Sequence, residues 1–251
     1  MWMGTVSLLP EIFQALNNGV IGRAIEHQKI QVHHWQVRDF TEDTHRTVDD
    51  KPFGGGPGMI LMAEPLYQAI SAAKKAAPSP AKVIHLTPQG KSFNQAAATN
   101  MAQAGTPLIF VCGRYEGIDE RLIESCVDEE WSIGDFIITG GELAAMTMID
   151  AISRLIPGVL GHHASAEQDS FSDDLLEYAH YTRPAVWRGE SAPAVLMDGN
   201  HQEIANWRQK QRLGRTWLRR QTLLNQTTLN PFEQKLLSQF LSEHNVGEPN
   251  E

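Results

Sequence analysis

Short apolar runs alternate with amphipathic segments along the first 160 residues of the chain. Runs rich in β-branched and aromatic residues predict strands at residues 2–8, 30–35, 82–86, 108–112 and 136–139, and the last two are expected to be buried. Segments with helical spacing lie at residues 65–76, 94–104, 118–125 and 142–155. Because strands and helices alternate, we expect an α/β fold with a mostly parallel sheet.

This periodicity fails between residues 161 and 174, where the chain is polar and rich in small residues that interrupt helices and strands. Helical spacing returns at residues 204–218 and 231–244. We therefore expect three parts: an N-terminal α/β domain at residues 1–160, a linker at residues 161–173, and a small helical domain at residues 174–251.

The composition, with 41% hydrophobic and 20% charged residues among 251, is that of an ordinary globular protein. The first ten residues lack the basic start of a signal peptide and predict a buried strand instead. No stretch has the length needed to span a bilayer, so no membrane partner is expected. Cys112 and Cys126 lie in apolar surroundings, which fits reduced thiols better than a disulfide. These features favour a cytoplasmic protein.

Charge is distributed unevenly along the chain. The net charge is −9, yet residues 201–220 hold six basic residues against one acidic residue, a local balance of +5 that leaves −14 for the remainder. A basic surface on an acidic body is typical of a selective nucleic-acid binder, whereas the alternative is a solvated helix face. Trp207 and Trp217 are interleaved with the basic residues and favour the nucleic-acid interpretation.

Glycine-bearing turns follow two of the predicted strands, at residues 113–117 and at Gly140 and Gly141. Glycine lets backbone pass close to a ligand, so that bare N–H and C=O groups can contact it. Backbone groups at strand ends can bind the edge of an adenine without side chains. The two turns therefore predict a nucleotide-like cofactor held on loops.

Other motifs point to no specific chemistry. Residues 51–58 are rich in glycine, but they lack the Lys-Ser/Thr end of a P-loop and the spacing of a dinucleotide-binding turn, so a flexible turn is at least as well supported. No histidine pair has a partner at zinc-ligand spacing, and no nucleophile elbow occurs. A nicotinamide-dependent oxidoreductase would need a Gly-x-Gly-x-x-Gly turn after the first strand, and the sequence lacks it.

A set of longer motifs, taken in order, is far more specific. The chain resembles the bacterial tRNA (guanine-N1)-methyltransferase family nearly from end to end, and the target of that family is the guanosine just 3′ of the anticodon. The resemblance rests on Ser7-Leu-Leu-Pro-Glu, Thr47-Val-Asp-Asp50, Gly54-Gly-Gly-Pro-Gly58, Gly113-Arg-Tyr-Glu-Gly-Ile-Asp-Glu-Arg121, Trp131-Ser-Ile-Gly-Asp135, Ile156-Pro-Gly-Val-Leu-Gly161, Asp169-Ser-Phe and Arg215-Thr-Trp-Leu-Arg-Arg220.

The resemblance implies a knotted S-adenosylmethionine-dependent methyltransferase, with a deep trefoil knot near residues 85–141 whose three loops hold the cofactor. Periodicity alone would favour an unknotted sheet, since true knots are rare. Three positions depart from the family pattern: His85 and Thr87 stand where Tyr and Ser are common, and Ala144 where Pro is common. The implied cofactor-binding residues are Leu86, Thr87, Pro88, Gln89 and Gly90; Gly113, Arg114, Tyr115, Glu116 and Gly117; and Ser132, Ile133, Gly134, Asp135, Phe136, Ile138, Gly140 and Gly141.

Catalytic roles are likewise implied by the resemblance. It assigns removal of the N1 proton to Asp169 and stabilisation of charge on O6 to Arg154, in a homodimer where the Asp169 segment completes the partner's active site. The resemblance also implies Mg²⁺, for which Glu116 is an acidic neighbour. The substrate-binding residues expected for tRNA are Asp50, for the neighbouring base, and Arg208, Lys210, Arg215, Arg219 and Arg220. The competing interpretation is a non-catalytic RNA-binding protein that retains the knotted fold.

Overall fold

The chain forms two units, Met1–His163 and Ala164–Glu251. The structure, a computed structural model, describes residues 1–161, 169–225 and 228–244. Most of the predicted linker, residues 162–168, lies outside the described residues. None of the described helices combines the length and apolar content needed to cross a bilayer.

A five-stranded parallel sheet forms the centre of the N-terminal unit. Its spatial order is β2-β1-β6-β5-β7, with every pair of neighbours parallel. A short antiparallel hairpin of β3 and β4 lies outside this sheet. The mostly parallel α/β architecture expected from the sequence is confirmed. The strands are β1 (Trp2–Ser7), β2 (Gln31–Gln36), β3 (Asp49–Asp50), β4 (Ile60–Leu61), β5 (Lys82–Ser92), β6 (Leu108–Cys112) and β7 (Glu129–Ser132).

Helices cover both faces of this sheet. They are α1 (Gly19–Glu26), α2 (Ala63–Ala76), α3 (Gln95–Ala104), α4 (Glu120–Cys126) and α5 (Gly141–Ser153), with 3₁₀ helices at Pro10–Asn17 and Val37–Phe40. Successive side chains of a strand point to opposite faces, so β6 contributes Leu108, Phe110 and Cys112 to the core beneath α1, α3 and α5. It contributes Ile109 and Val111 to the core beneath α2 and α4. A strand that is buried on both faces is apolar throughout, as the sequence of β6 is.

The strand predicted at residues 136–139 is wrong. The last strand of the sheet is β7, and the predicted segment is a loop in which Phe136 and Ile137 are 54% and 82% exposed. The polar sequence of β7 has a physical cause, because this strand is at the edge of the sheet. Two of its acids bond to side chains of β5, Glu129 to Lys82 and Glu130 to His85.

Among its described residues, the C-terminal unit has the helices α6 (His201–Arg219), α7 (Gln221–Leu224) and α8 (Pro231–Glu243), and a hairpin of β8 (Val186–Trp187) and β9 (Glu190–Ser191). Helix α8 begins with a capping box, in which the side chain of Asn230 accepts from the backbone of Glu233 and the Glu233 carboxylate accepts from the backbone of Asn230. A small leucine core, Leu175, Leu213, Leu224 and Leu236, holds the helices together.

Candidate functional site

A cavity of about 350 Å³ opens at the carboxyl ends of β5, β6 and β7 and at the start of α5. This volume is within the range of small-molecule sites, and the carboxyl edge of a parallel sheet is where such sites form. Three segments line the cavity: residues 85–89, residues 113–117, and eleven of the residues from 131 to 144. These are the three loops that the family resemblance implies for cofactor binding.

The first loop is an excursion within β5. Leu86 and Lys91 both pair with Trp131 of β7, so residues 87–90 leave the ladder and rejoin it at the same point. At Gly90 a Cβ would stand 2.3 Å from the backbone nitrogen of Trp131, which no side chain tolerates. Gly90 was expected to bind cofactor, but it lies outside the cavity lining and allows β5 to return against β7.

The second loop is fixed by hydrogen bonds at both ends. Gly113 C=O accepts from Gly141 N–H at 2.9 Å, which ties this loop to the third. On the other side, Gly117 C=O accepts from Leu61 N–H at 3.0 Å, which ties it to β4. Tyr115 takes a positive φ of 60° at the tip of the loop and is 52% exposed. Backbone hydrogen bonds therefore hold both ends of this loop in place, and the ring of Tyr115 is exposed at its tip.

Gly141 begins α5 where the third loop meets β6. The resemblance implies that Gly141 binds the cofactor, and an ideal Cβ here would stand 2.8 Å from the Cα of Cys112. A side chain at Gly141 would therefore collide with the protein's own backbone first. Substitution at this position would test the junction of β6 and α5, so it is not a clean probe of cofactor binding.

A buried ion pair lies beside the cavity. The Glu142 carboxylate, whose side chain is 1% exposed, accepts from Arg114 Nε at 3.1 Å and from Ser7 Oγ at 2.6 Å. Arg114 lines the cavity, and its side chain is 20% exposed. Pairing and hydrogen bonding are what make a buried carboxylate tolerable. Below this pair, burial raises the pKa of the Cys112 thiol well above its usual value, so that Cys112 is an inert core residue.

Five cavity-lining residues were not in the predicted set: His85, Trp131, Ile137, Thr139 and Ala144. His85 is the informative omission, because it is a titratable ring that is only 5% exposed. Its Nδ1 lies 3.0 Å from Glu130 Oε1. Burial holds the pKa of His85 below its usual 6.5, against the opposite influence of Glu130 and Glu120. Recognising it would have required the cross-strand register of β5 and β7, which the sequence does not display.

Asp135 was predicted to bind cofactor, but it is exposed and not among the lining residues. All the other predicted cofactor residues except Gly90 line the cavity. Asp50 lies in β3, where its carboxylate accepts from Lys51 N–H at 2.7 Å. Strand β3 pairs with β4, and β4 is hydrogen-bonded to Gly117 of the second loop. Strand β4 therefore lies between Asp50 and that loop.

Arg154, one of the two predicted catalytic residues, is not part of the cavity lining. Arg154 caps the carboxyl end of α5, whereas Gly141 and Ala144 at the opposite end of this helix line the cavity. Asp169 belongs to the C-terminal unit, where its C=O accepts from Ser172 N–H at 3.3 Å and from Ser172 Oγ at 2.8 Å. Within the N-terminal unit, Arg154 therefore lies at the opposite end of α5 from the residues that line the cavity.

The basic residues in α6 and beside its end differ in their exposure and in their contacts within the chain. Lys210 Nζ bonds both oxygens of Glu243 at 2.7 Å, with its side chain 17% exposed, and Arg215 is half-buried. Arg208 is exposed and lies over the ring of Tyr178 at 4.7 Å. Arg219 and Arg220 are exposed at the end of the helix. Three of the five predicted tRNA-binding residues, Arg208, Arg219 and Arg220, thus offer accessible charge.

No group of three His, Cys, Asp or Glu side chains within residues 1–161, 169–225 and 228–244 is arranged to hold a metal ion. Glu116, the acidic neighbour implied for Mg²⁺, therefore has no acidic or imidazole companions of that kind in this part of the chain. The described residues therefore do not fit a metal centre built from three such side chains.

Comparison with known proteins identifies the family. Residues 1–226 match the model of the family described as tRNA (Guanine-1)-methyltransferase TrmD. The chain is 57% identical to the tRNA (guanine-N(1)-)-methyltransferase of Haemophilus influenzae strain PittGG, over 98% of this chain and 100% of that protein. It is 55% identical to the enzyme of the same name from Aliivibrio salmonicida, over 97% and 98% of the two chains, and 56% identical to that of Escherichia coli O139:H28, over 97% and 96%. The cavity between three loops thus lies in a chain that belongs to the tRNA (guanine-N1)-methyltransferase family.

Proposed function

We propose that this protein transfers the methyl group of S-adenosylmethionine to N1 of the guanosine immediately 3′ of the anticodon in tRNA. The observation that carries the proposal is the cavity itself, which three loops form at the carboxyl edge of the sheet in a member of this family. Its mixture of glycine backbone and apolar side chains suits a nucleoside with a polar amino-acid tail. A non-catalytic RNA-binding protein would have no need for such a cavity.

The same loops support a deep trefoil knot over residues 85–141. The excursion of β5 at residues 87–90, the Gly141–Gly113 hydrogen bond and the Arg114–Gly140 bridge link the three segments that a knot would bring together. Ordinary α/β sheets avoid such threading. A knot would hold all three loops against one ligand without any side-chain ligand cage.

Bound S-adenosylmethionine supplies an electrophilic methyl group on a positively charged sulfur. For transfer, guanine N1 must face that methyl group, lose its proton and pass charge to O6. We assign the Asp169 carboxylate to accept the N1 proton and the Arg154 guanidinium to stabilise the developing charge on O6. The cavity residues orient the cofactor, and the exposed ring of Tyr115 at the cavity edge offers a surface for a base.

A homodimer would bring these two residues to the cavity. Helix α5 has 13 residues, so its two ends are about 20 Å apart at 1.5 Å per residue. Arg154 is at the end away from the cavity, and an arginine side chain cannot span that distance. The guanidinium that acts at one cavity would then come from a second copy, together with the segment that carries Asp169.

The exposed basic residues of the C-terminal unit would bind the tRNA backbone. Arg208, Arg219 and Arg220 give this unit accessible positive charge on a chain whose net charge is −9. Phosphate contacts position an RNA without reading its sequence. Asp50 would contact the base that neighbours the methylated guanosine. Such an enzyme would act in the cytoplasm, where tRNA is processed.

Mass mapping of a tRNA transcript after incubation with the full-length protein and S-adenosylmethionine tests the proposal. We expect one added methyl group, at N1 of the guanine 3′ of the anticodon, and none in a matched transcript with adenine at that position. Cofactor binding without methylation of either transcript would favour the non-catalytic alternative. Methylation at another nucleotide would contradict the proposed target.

A further inference from the structure

His85 is a buried titratable group in the cavity to which the mechanism above gives no role. It pairs in register with Glu130 of β7 on one side and Val111 of β6 on the other, which fixes the ring between two strands. The ring is 5% exposed and lines the cavity. Nε2 lies 3.4 Å from the point where a Cβ on Gly113 would stand, so this nitrogen is on the side of the second loop.

The partner of Nδ1 determines what Nε2 can offer. The only hydrogen bond of the ring among the described residues joins Nδ1 to Glu130 Oε1, at 3.0 Å. A carboxylate is an acceptor, so Nδ1 carries the proton and donates it. In the neutral ring Nε2 is then an acceptor, next to a loop that offers no side chain at Gly113. A donor from a bound nucleoside or amino acid can meet this nitrogen.

The charges that face His85 come from several elements. Glu130 on β7 and Glu120 on α4 both favour the protonated ring, whereas burial disfavours it more strongly. Arg114 and Glu116 are the other charged residues that line the cavity, and Arg114 is engaged with Glu142 of α5. Among the described residues that line the cavity, His85 is therefore the only basic side chain whose charge can change near neutral pH.

We propose that His85 is a positioning residue that also selects the cofactor by charge: the neutral ring accepts a hydrogen bond from the bound nucleoside, and the protonated ring repels the sulfonium cofactor. The proposal rests on the proposed function, because it concerns S-adenosylmethionine in this cavity. S-adenosylmethionine carries a positive sulfur, whereas the product S-adenosylhomocysteine carries a neutral one. Protonation of His85 therefore disfavours the cofactor more than the product, and preference for cofactor over product should fall as pH falls.

The test compares the affinities of the two ligands across pH. Calorimetry on the full-length protein would give Kd for S-adenosylmethionine and S-adenosylhomocysteine between about pH 7.5 and about pH 4.5, a range that extends well below 6.5 because burial lowers the pKa of His85. We expect the ratio of the two affinities to move roughly three- to tenfold against the cofactor, since one unit of pKa coupling corresponds to tenfold in affinity. The His85→Gln variant keeps an acceptor but does not titrate, and its ratio should be flat. The matched control His27→Gln removes an exposed histidine at the end of α1 and should keep the wild-type dependence.

A second measurement needs no variant. The pKa of the His85 ring, followed by NMR in the wild-type protein, should be lower in the complex with S-adenosylmethionine than in the complex with S-adenosylhomocysteine. Equal values, or an affinity ratio that does not change with pH or changes equally in His85→Gln, would overturn the role of His85 while leaving the proposed function intact. Failure of the wild-type protein to bind either ligand would instead refute the proposed function, and this role with it.

Discussion

Replacing Glu142 by Gln tests whether the buried ion pair beside the cavity supports both the fold and the site. Glutamine keeps the shape of the side chain and can still accept one hydrogen bond, but it leaves the Arg114 charge without a counterion. Removing one partner of a fully buried pair costs about 3–5 kcal/mol. Because the Arg114 side chain is 20% exposed, solvent compensates in part, and we expect about 2–3 kcal/mol. At 2–4 °C per kcal/mol, the melting temperature should fall by about 4–12 °C.

The same substitution should weaken cofactor binding, because Arg114 lines the cavity and loses the group that holds it in place. A tenfold loss of affinity corresponds to about 1.4 kcal/mol, and calorimetry with S-adenosylmethionine would measure it. Ser7→Ala is the matched control: it removes the neutral donor to Glu142 and the acceptor of the Leu9 N–H, at a cost of about 1.5–3 kcal/mol for a hydrogen bond to a charged group. It leaves the Arg114–Glu142 pair in place, so cofactor affinity should not change. A double-mutant cycle with Arg114→Gln isolates the pair. An unchanged melting temperature for Glu142→Gln, or additivity in the cycle, would refute this account of the network.

Four further predictions address the reaction, the fold and the RNA surface. Asp169→Asn should lower methyl transfer by roughly 10²–10⁴-fold in single-turnover assays with cofactor affinity unchanged; near-normal rates would remove Asp169 as the base. Gly214→Ala should lower the stability of the C-terminal unit in thermal melts although alanine favours helices by about 1 kcal/mol, since its Cβ would stand 2.1 Å from the buried ring of Phe240, and a stabilised variant would contradict this packing. The pKa of His85 is below 6.5 in the folded protein, so its contribution to stability is fully present above 6.5 and is lost as pH falls through the folded value; urea unfolding of His85→Gln should show a flatter acid decline. Arg219→Gln should reduce the slope of log K against log[salt] for tRNA binding by about 0.7–0.9 at normal melting temperature, and an unchanged slope would place Arg219 outside the RNA contact.

Strands of the sheet could be predicted where an apolar run is buried in the core. The prediction failed where an apolar run lies beside the cavity instead. Strand β6 was predicted with its observed bounds because both of its faces are core. The run at residues 136–139 is similarly rich in β-branched and aromatic residues, but Phe136 and Ile137 are exposed beside the cavity. Local periodicity cannot distinguish a side chain that faces the core from one that faces a ligand. Strand β7 escaped prediction for the converse reason, since its acids are satisfied by β5 only in the folded sheet.

The positions of the site loops could be predicted, but the partners of individual residues could not. The three loops line one cavity because each follows a strand of the same parallel sheet, which a sequence can indicate. Strand register and the close approach of segments determine these partners. Gly90 allows β5 to return against β7, Gly141 faces Cys112, and His85 bonds Glu130. Such contacts join residues 29 to 45 positions apart, beyond the range of any periodicity.

Two glycines that line the cavity, Gly140 and Gly141, have a consequence for resistance to inhibitors. A point substitution usually defeats a competitive inhibitor by adding bulk where the inhibitor sits. At Gly141 the added carbon would meet Cys112, and at Gly140 it would lie 2.6 Å from both Arg114 Nε and Glu142 Oε2. Such a substitution would disrupt the packing of the protein itself before it excluded the inhibitor. A compound that binds against Gly140 and Gly141 should therefore select resistance at other residues of the cavity or in the amount of enzyme made, and seldom at these two glycines.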